Sequence, residues 1–325
     1  MKHPTMNWRE ILRWTLGPFY LVASVSFFLI LHEMGFHKLV VYYVASACVI
    51  GMTLVMEHTF PYEKSWRNLD DQFPNEIGST LLSANLGHNM GRMLVLFLIA
   101  PAIVYWGGEG APWWPASWPF ALQVALGFVV WEFGIYWSHR LMHTTDIGWR
   151  FHSLHHKLRR LSCVNSGYGH PINFALTSLF DMTLLVLCGA PAEVMLFVSF
   201  MSGSVNFLSH ANIDVKMGFL NYVVNTPEVH RWHHAAEPGS GQRNFGMQLP
   251  IWDLVFGTYY CPKDREPPRV LGHDEHQPAG FLAQWLAPFM PARAARWKAI
   301  PAQRMPLRTP DGPAPIAGPG NSAGA

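Results

Sequence analysis

Long apolar runs alternate with polar segments along the first two thirds of the chain. Six runs stand out, at residues 16–31, 39–56, 90–106, 118–137, 172–188 and 191–209. Since a helix needs about 20 apolar residues to cross a bilayer core, the pattern predicts an all-α fold, an integral-membrane helical bundle. Only Gly189 and Ala190 separate the last two runs, which fit either two full spans or a hairpin that enters the membrane partway.

Composition supports a membrane protein and excludes several other classes. Hydrophobic residues make up 50% of the chain and charged residues 14%, against about 25% charged residues in soluble domains. The net charge of +2 indicates no nucleic-acid partner. The four cysteines form no Cys-x-x-Cys pair, so neither a disulfide framework nor a thiolate metal site is expected. The first residues do not resemble a cleavable signal peptide.

The cations are concentrated in alternate connections between the apolar runs. The N-terminal tail and the segments after the second and fourth runs contain Lys2, Arg9, Arg13, Lys64, Arg67, Arg140, Arg150, Lys157, Arg159 and Arg160. The opposite connections contain only Lys38. Because basic loops stay in the cytoplasm, the sequence predicts a multi-pass protein whose N-terminus and basic segments are cytoplasmic.

Histidines cluster in the same basic segments. Ten of the 17 histidines lie between His139 and His234. Most fall in three boxes, His139/His143, His152/His155/His156 and His230/His233/His234, and two are single, His170 and His210. Positions i, i+3 and i+4 share one face of a helix, so each box can direct its imidazoles to one side. All ten would then lie at the cytoplasmic ends of spans.

Clustered neutral imidazoles indicate a metal site, because their lone pairs are costly to bury without a cation. A structural zinc needs only four ligands, whereas this set is large enough for two metals with open positions. Imidazole suits iron, zinc, copper and nickel, so spacing alone does not separate iron from zinc. A zinc-dependent hydrolase remains an alternative, although His-Glu-x-x-His is absent. A metal transporter would need ligands at bilayer depth, where the runs have almost none.

The three boxes and their surroundings resemble the sterol desaturase / fatty acid hydroxylase superfamily. The spacing H-x-x-x-H, H-x-x-H-H and H-x-x-H-H is that family's pattern, and the flanking residues 132–140, 226–230 and 244–258 are similar to its conserved segments. The resemblance covers roughly residues 118–260 and implies a membrane di-iron enzyme that uses O2 to hydroxylate or desaturate a sterol, fatty acyl chain or related lipid.

The resemblance also implies ligands, partners and domain limits. The two iron ions would be bound by the three boxes, with His170 and His210 as further ligands. Electrons would come from a separate ferredoxin or cytochrome b5 type donor with its reductase. The catalytic domain would cover residues 118–262, after N-terminal membrane helices at 1–117 and before a polar, partly disordered tail at 263–325.

Three further residues are candidates for a supporting role. Glu132 lies two helical turns before His139 and would accept a hydrogen bond near the ligands, line the substrate route or pair with a neighbouring helix. Asp253 would orient a ligand histidine or cap the turn at 252–257. Tyr168 lies near the boxes. Asp181, inside the fifth run, is interpreted as a polar residue paired within the bundle.

Overall fold

The computed structural model describes residues 7–107, 113–237, 239–273 and 278–290. In these ranges the chain is almost entirely helical, with one isolated β-bridge between Ala235 and Leu271. The helices are α1 (Trp8–Glu33), α2 (Lys38–Thr59), α3 (Phe73–Gly78), α4 (Asn85–Leu94), α5 (Ala100–Gly107), α6 (Phe120–Thr144), α7 (Asp146–His152), α8 (Pro171–Cys188), α9 (Ala192–His210), α10 (Pro227–His233), α11 (Ile251–Phe256) and α12 (Phe281–Leu286). The predicted all-α class is confirmed.

Six helices are long and apolar enough to cross a membrane. They are α1, α2, the continuous helical stretch Phe73–Ile103, α6, α8 and α9. Large apolar side chains such as Val22, Tyr43 and Phe97 are exposed on their outer faces, as expected for residues in contact with lipid. The chain is therefore a multi-pass membrane protein.

The third span begins earlier than predicted. It starts at Phe73 rather than near residue 90, and π-helical turns at Ser79–Ala84 and Val95–Ile99 interrupt it. Its first turns carry Glu76, which is buried and forms an ion pair with Arg160 at 2.9 Å. Because the partner comes from the segment after the second histidine box, hydropathy alone does not identify this part of the span.

Two glycines bring the third span and α8 into backbone contact. A Cβ at Gly87 would lie 2.2 Å from the Pro171 carbonyl oxygen, and one at Gly91 would lie 2.4 Å from that of Ala175. Small residues at such crossings allow membrane helices to approach closely. No lipid chain can pass between the two helices at this level.

Gly91→Val is expected to lower the free energy of unfolding by about 3 kcal/mol or more, because the new side chain would overlap backbone atoms that cannot move aside cheaply. Gly51→Ala is the matched control, since a Cβ there meets nothing within 4 Å. Thermal unfolding in detergent micelles measures both variants. Equal melting temperatures for Gly91→Val and the parent protein would show that the helices do not touch at this level.

The histidine-bearing ends of the spans meet at one end of the bundle. The Glu57 carboxylate at the end of α2 accepts hydrogen bonds from the backbone N–H of Cys163 at 2.8 Å and of Asn212 at 2.9 Å. Near the start of the third span, the Ser79 hydroxyl accepts one from the Gly169 N–H at 2.9 Å. These contacts join the ends of α2 and α9 to the loop between α7 and α8. We call this region the histidine end.

Contacts also define the opposite end of the bundle. Lys38, at the start of α2, forms an ion pair with Glu193, at the start of α9, at 3.2 Å. The Trp114 indole N–H donates to the Gln123 side-chain oxygen at 2.8 Å, before and within the first turns of α6. Helices α2 and α9 therefore run from the end marked by Lys38 and Glu193 to the histidine end, which fits a full span for α9.

The predicted polar tail includes an ordered apolar segment. Helix α12 packs on the start of the third span, where the Trp285 indole N–H donates to the Ser83 hydroxyl at 2.9 Å. The Asn75 side-chain amide donates to the Ala279 carbonyl oxygen at 2.6 Å. Residues 278–290 thus pack on the membrane bundle as an ordered part of the predicted tail. Residues 291–325 lie outside the described part of the chain.

Candidate metal centre

The first box is held by the last turns of α6. His139 and His143 are one turn apart, and their Nε2 atoms lie 3.2 Å from each other. Both side chains are buried. The predicted convergence of positions i and i+4 on one face is observed for this box.

The second and third boxes do not form single helical faces. Helix α7 ends at His152, and His155 begins a separate 3-10 turn, His155–Lys157. Helix α10 likewise ends at His233, one residue before His234. In each box the histidines at positions i and i+4 nevertheless belong together, and the histidine at i+3 points to a different place.

Nine histidines form two buried groups. The ligand nitrogens within each group all lie within 4.8 Å of one another. The first group is His139, His143, His152, His156 and His233, and the second group is His155, His210, His230 and His234. The second and third boxes each contribute to both groups. The rings of His156 and His234 stack at 4.5 Å between centroids, so the two groups are adjacent.

Hydrogen bonds fix the protonated nitrogen in several of the rings. The Nδ1–H of His139 donates to the Phe245 carbonyl oxygen and that of His233 to the Arg243 carbonyl oxygen, both at 2.7 Å. In the second group, His155 donates to the Tyr168 carbonyl oxygen at 2.8 Å. Since a carbonyl oxygen only accepts, each neutral ring must carry its proton on Nδ1. The Nε2 lone pairs are left free for a cation.

Free lone pairs face one another inside each group. The Nε2 atoms of His139 and His152 are 3.0 Å apart, and the Nδ1 of His152 lies 2.7 Å from the Asn173 side-chain oxygen, which accepts its proton. The Nε2 atoms of His155 and His210 are 3.4 Å apart, and the Nδ1 of His210 donates to a backbone carbonyl. Two such lone pairs cannot bond to each other, whereas neighbouring ligands of one ion at about 2.1 Å are separated by about this distance.

The buried nitrogens therefore fit two metal ions. The Nε2 of His233 and both ring nitrogens of His234 have no hydrogen-bond partner. Such buried unpaired polar atoms are costly, and a bound cation would satisfy them. Burial also lowers the pKa of His155 to about 4 and the pKa of His156 and His233 well below the usual range. These rings are neutral at pH 7, which is the form that binds metal.

Glu132 and Asp253 both hold the loop that supports His139. Glu132, fully buried, accepts hydrogen bonds from the backbone N–H of Met247 at 2.6 Å and of Gln248 at 3.1 Å. Asp253 accepts from Phe245 N–H at 2.8 Å and Gly246 N–H at 2.7 Å. Burial raises the pKa of Asp253 to about 6, so it stays largely ionised at pH 7. Together they fix the carbonyl that accepts from His139.

Tyr168 and His170 have different positions from those expected of ligands. Tyr168 is buried and supports His155 through its backbone carbonyl. His170 belongs to neither histidine group. Its Nδ1 accepts from the Ile172 N–H at 3.1 Å as the N-cap of α8, and its Nε2 donates to the Trp285 carbonyl oxygen at 2.9 Å. The structure therefore brings His210, but not His170, together with histidines of the boxes.

Other histidines and Asp181 lie away from the centre. Among the described residues, five histidines belong to neither group: His32, His37, His58, His88 and His273. His3 and His276 lie outside those residues. Asp181 is buried on α8, but its Oδ1 has no hydrogen-bond partner. The pairing predicted for it is not found at that atom.

Two residues were missed by the sequence interpretation. Asn173 accepts from His152, and an amide in the first turn of an apolar helix was an available signal. Arg231 is fully buried inside the third box, donates to the carbonyl oxygens of Ala211 and Ile213 at 2.9 and 2.8 Å, and packs over the Tyr62 ring. It ties α10 to the segment that follows His210.

Asn173→Ala is expected to weaken metal binding about 10- to 100-fold, the usual cost of losing the partner that orients a ligand histidine. The His152 ring would lose the acceptor that keeps its proton on Nδ1. Asn173→Asp keeps an acceptor at the same place and serves as the matched control. Metal affinity from competition with a chelator measures both. Unchanged affinity in Asn173→Ala would remove Asn173 from the support of the centre.

Comparisons with known proteins agree with this geometry. The model of the family described as Fatty acid hydroxylase matches residues 124–258, which include all nine grouped histidines. Ornithine lipid hydroxylase OlsE from Rhizobium tropici is 36% identical over 256 residues, covering 77% of this chain and 75% of the relative. No solved structure matches the chain significantly.

More distant relatives have other named activities. Alkylglycerol monooxygenase from Caenorhabditis elegans is 27% identical over 179 residues, 55% of this chain and 34% of the relative. Very-long-chain aldehyde decarbonylase GL1-6 from Oryza sativa subsp. indica is 26% identical over 198 residues, 56% of this chain and 29% of the relative. The chain thus spans about a third of the length of these two proteins. The resemblance inferred from the boxes is confirmed, and the chain belongs to the fatty acid hydroxylase family, within the sterol desaturase / fatty acid hydroxylase superfamily.

Proposed function

We propose that this oxygenase holds two iron ions in the two histidine groups and uses O2 to hydroxylate a membrane lipid. The observation that carries the proposal is the pair of adjacent, buried, all-imidazole groups whose free lone pairs face one another. Imidazole-only sites of this size suit iron with open positions better than a structural zinc, which takes four ligands and commonly includes thiolate. Family membership supports iron and O2 as the cofactor and cosubstrate.

The protein's own residues would orient the ligands and keep water away. Backbone carbonyls and Asn173 hold the Nδ1 protons of five rings, which would present Nε2 to the ions: His139, His152, His155, His210 and His233. Apolar rings close the centre, with Phe245 and Trp149 each 5.4 Å from the His143 ring. When bound, a reduced iron pair supplies the activation of O2 that allows an unactivated C–H bond to be oxidised. The surrounding apolar residues limit access of solvent to that chemistry.

The substrate would be a lipid that reaches the centre from the bilayer. Both groups lie at the histidine end, where α6 and α9 end, so a substrate chain in the membrane is close to the ligands. The name of the 36% identical relative makes an ornithine-containing lipid the first substrate to test. Hydroxylation is favoured over desaturation because the named relatives include a hydroxylase and a monooxygenase.

The histidine end would face the cytoplasm and receive electrons there. Of the cations in the described chain, Arg13, Arg67 and Arg160 lie at this end, whereas Lys38 lies at the opposite end. By the positive-inside rule, this distribution supports a cytoplasmic position for the histidine end. A separate ferredoxin or cytochrome b5 type protein, with its reductase, would supply the electrons.

Anaerobic purification followed by metal analysis and O2 uptake tests the proposal. The expected result is two iron ions per chain, and O2 uptake that requires both a reductant and a lipid extract or purified ornithine lipid. Mass spectrometry should show a product heavier by one oxygen atom. Bound zinc with hydrolysis and no O2 uptake would overturn the proposal in favour of a zinc-dependent hydrolase.

A further inference from the structure

The segment 278–290, which we call the C-terminal cover, lies across the start of the third span. The Gln284 side-chain amide donates to the Gln72 side-chain oxygen at 3.3 Å. Hydrogen bonds from Asn75 to Ala279 and from Trp285 to Ser83 complete its attachment to this span. The cover lies beyond the residues matched by the family model, which end at 258.

The inner side of the cover lies against the layer that surrounds the first histidine group. The Phe289 ring is 5.6 Å from the Phe151 ring and 5.9 Å from the His170 ring. Phe151 immediately precedes His152, a member of the first group, and His170 is three residues before Asn173, which supports His152. His170 also donates to the Trp285 carbonyl oxygen. It therefore joins the cover to the first turn of α8.

The outer side of the cover is apolar and exposed. Leu282 and Leu286 are 69% and 59% exposed, and their spacing of i and i+4 within α12 places them on one side. The cover is attached where the third span begins, so this side continues the lipid-facing surface of that span. Helical segments with such an apolar side lie in the boundary between lipid headgroups and acyl chains.

We propose that the C-terminal cover is a lid in the membrane interface, with Leu282 and Leu286 in the acyl boundary and His170 holding it closed, and that it opens to admit lipid to the histidine centre. The gating role rests on the proposed lipid hydroxylase function, whereas the position in the membrane does not.

The contacts of the cover suit a segment that opens while it remains in the membrane. Further along the third span, Gly87 and Gly91 keep this span in backbone contact with α8, so lipid cannot pass at that crossing. The cover instead lies where the third span, α7 and α8 meet. Four hydrogen bonds attach it there, from Asn75, Gln284, Trp285 and His170. Breaking them leaves the apolar outer side in lipid.

The membrane position is tested with single fluorophores in proteoliposomes. Leu282→Cys and Leu286→Cys, labelled in a Cys48→Ser background, are compared with Asp264→Cys as the matched aqueous control. Brominated phospholipids are expected to quench the first two labels and iodide the third. Quenching of the labels at 282 and 286 by iodide alone would overturn the proposal.

The gating role is tested by locking the cover to the third span. Asn75→Cys with Ala279→Cys joins the two sides of an existing contact, and a short thiol-specific reagent that dithiothreitol cleaves forms the link. Locking is expected to lower lipid turnover at least about tenfold, as for other closed lids, with unchanged metal content and recovery after reduction. Equal turnover in the locked and reduced forms would overturn the gate.

A second readout separates failure of the lid from failure of the enzyme. Phe151→Cys, introduced into the locked and reduced proteins, is labelled with a maleimide attached to a lipid, and mass spectrometry reads that site alone. Locking is expected to slow this labelling at least about tenfold, whatever reaction the protein catalyses. Equal labelling rates would overturn the gate even if lipid hydroxylation is observed, whereas slowed labelling without any O2 uptake would count against the enzyme only.

Discussion

His155→Ala and His233→Ala are each expected to abolish turnover and to lower the bound metal. The two histidines belong to different groups, and both donate Nδ1–H to a backbone carbonyl, so their Nε2 lone pairs are aimed at a cation. Alanine removes one ligand from a buried site whose grouped residues are all histidines. Metal analysis and O2-dependent lipid oxidation measure the outcome, with the amount of protein in the membrane as the check on folding.

Two other histidine variants make that test specific. His58→Gln changes an exposed histidine that contacts Arg67 outside both groups, and it should keep full metal content and turnover. His170→Asn keeps a side-chain oxygen that can accept from the Ile172 N–H, and it should keep both metal ions. Loss of an ion from His170→Asn would return this residue to the ligand set, and full metal content in His233→Ala would refute the assignment.

The metal-free protein is expected to lose folding free energy steeply as the pH falls from 6.5 to about 4. Burial lowers the pKa of His155 from 6.5 to about 4, so in this range the unfolded chain binds a proton that the folded chain does not. Unfolding then takes up protons, and stability falls with pH. His155 alone would contribute about 3 kcal/mol to the loss, at about 1.4 kcal/mol per pH unit.

Several neighbours add to this dependence. Burial lowers the pKa of His152, His156, His230, His233 and His234 well below the usual range. Denaturant unfolding of the chelated protein at a series of pH values measures the total. His155→Gln removes one titrating group and should make the dependence shallower. Stability that does not change between pH 6.5 and 4 would mean that the imidazoles are not held neutral.

The spans and the membership of the boxes could be predicted from the sequence because both depend on local spacing. Apolar runs mark α1, α2, α6, α8 and α9 closely. The beginning of the third span could not be predicted from hydropathy. It contains Glu76, whose burial depends on an ion pair with Arg160 from a distant segment of the chain. The cover was missed for a related reason. Its few apolar residues lie within a long polar, Pro-rich stretch, and they gain their position from contacts with the third span.

The spacing of the histidines in the sequence did not predict how they divide between the two groups. Helical spacing predicts one side for His152, His155 and His156, but only the i, i+4 pair shares a group, and His155 belongs to the other group. The acceptors that fix the tautomers are largely backbone carbonyls, for example those of Phe245 and Arg243, and these have no sequence signature. His170 illustrates the opposite case, because the resemblance implied a ligand at this position and the structure places its ring outside both groups.

The sharing of boxes between groups has a consequence for assembly. His155 and His156 are adjacent in the chain but serve different groups, as do His233 and His234. Binding of one cation orders the backbone that also carries donors of the other group. The conformational entropy lost in ordering these segments is then lost mainly on binding of the first ion, and binding of the second ion costs less. Loading should be cooperative, with singly filled molecules scarce throughout a titration with ferrous iron.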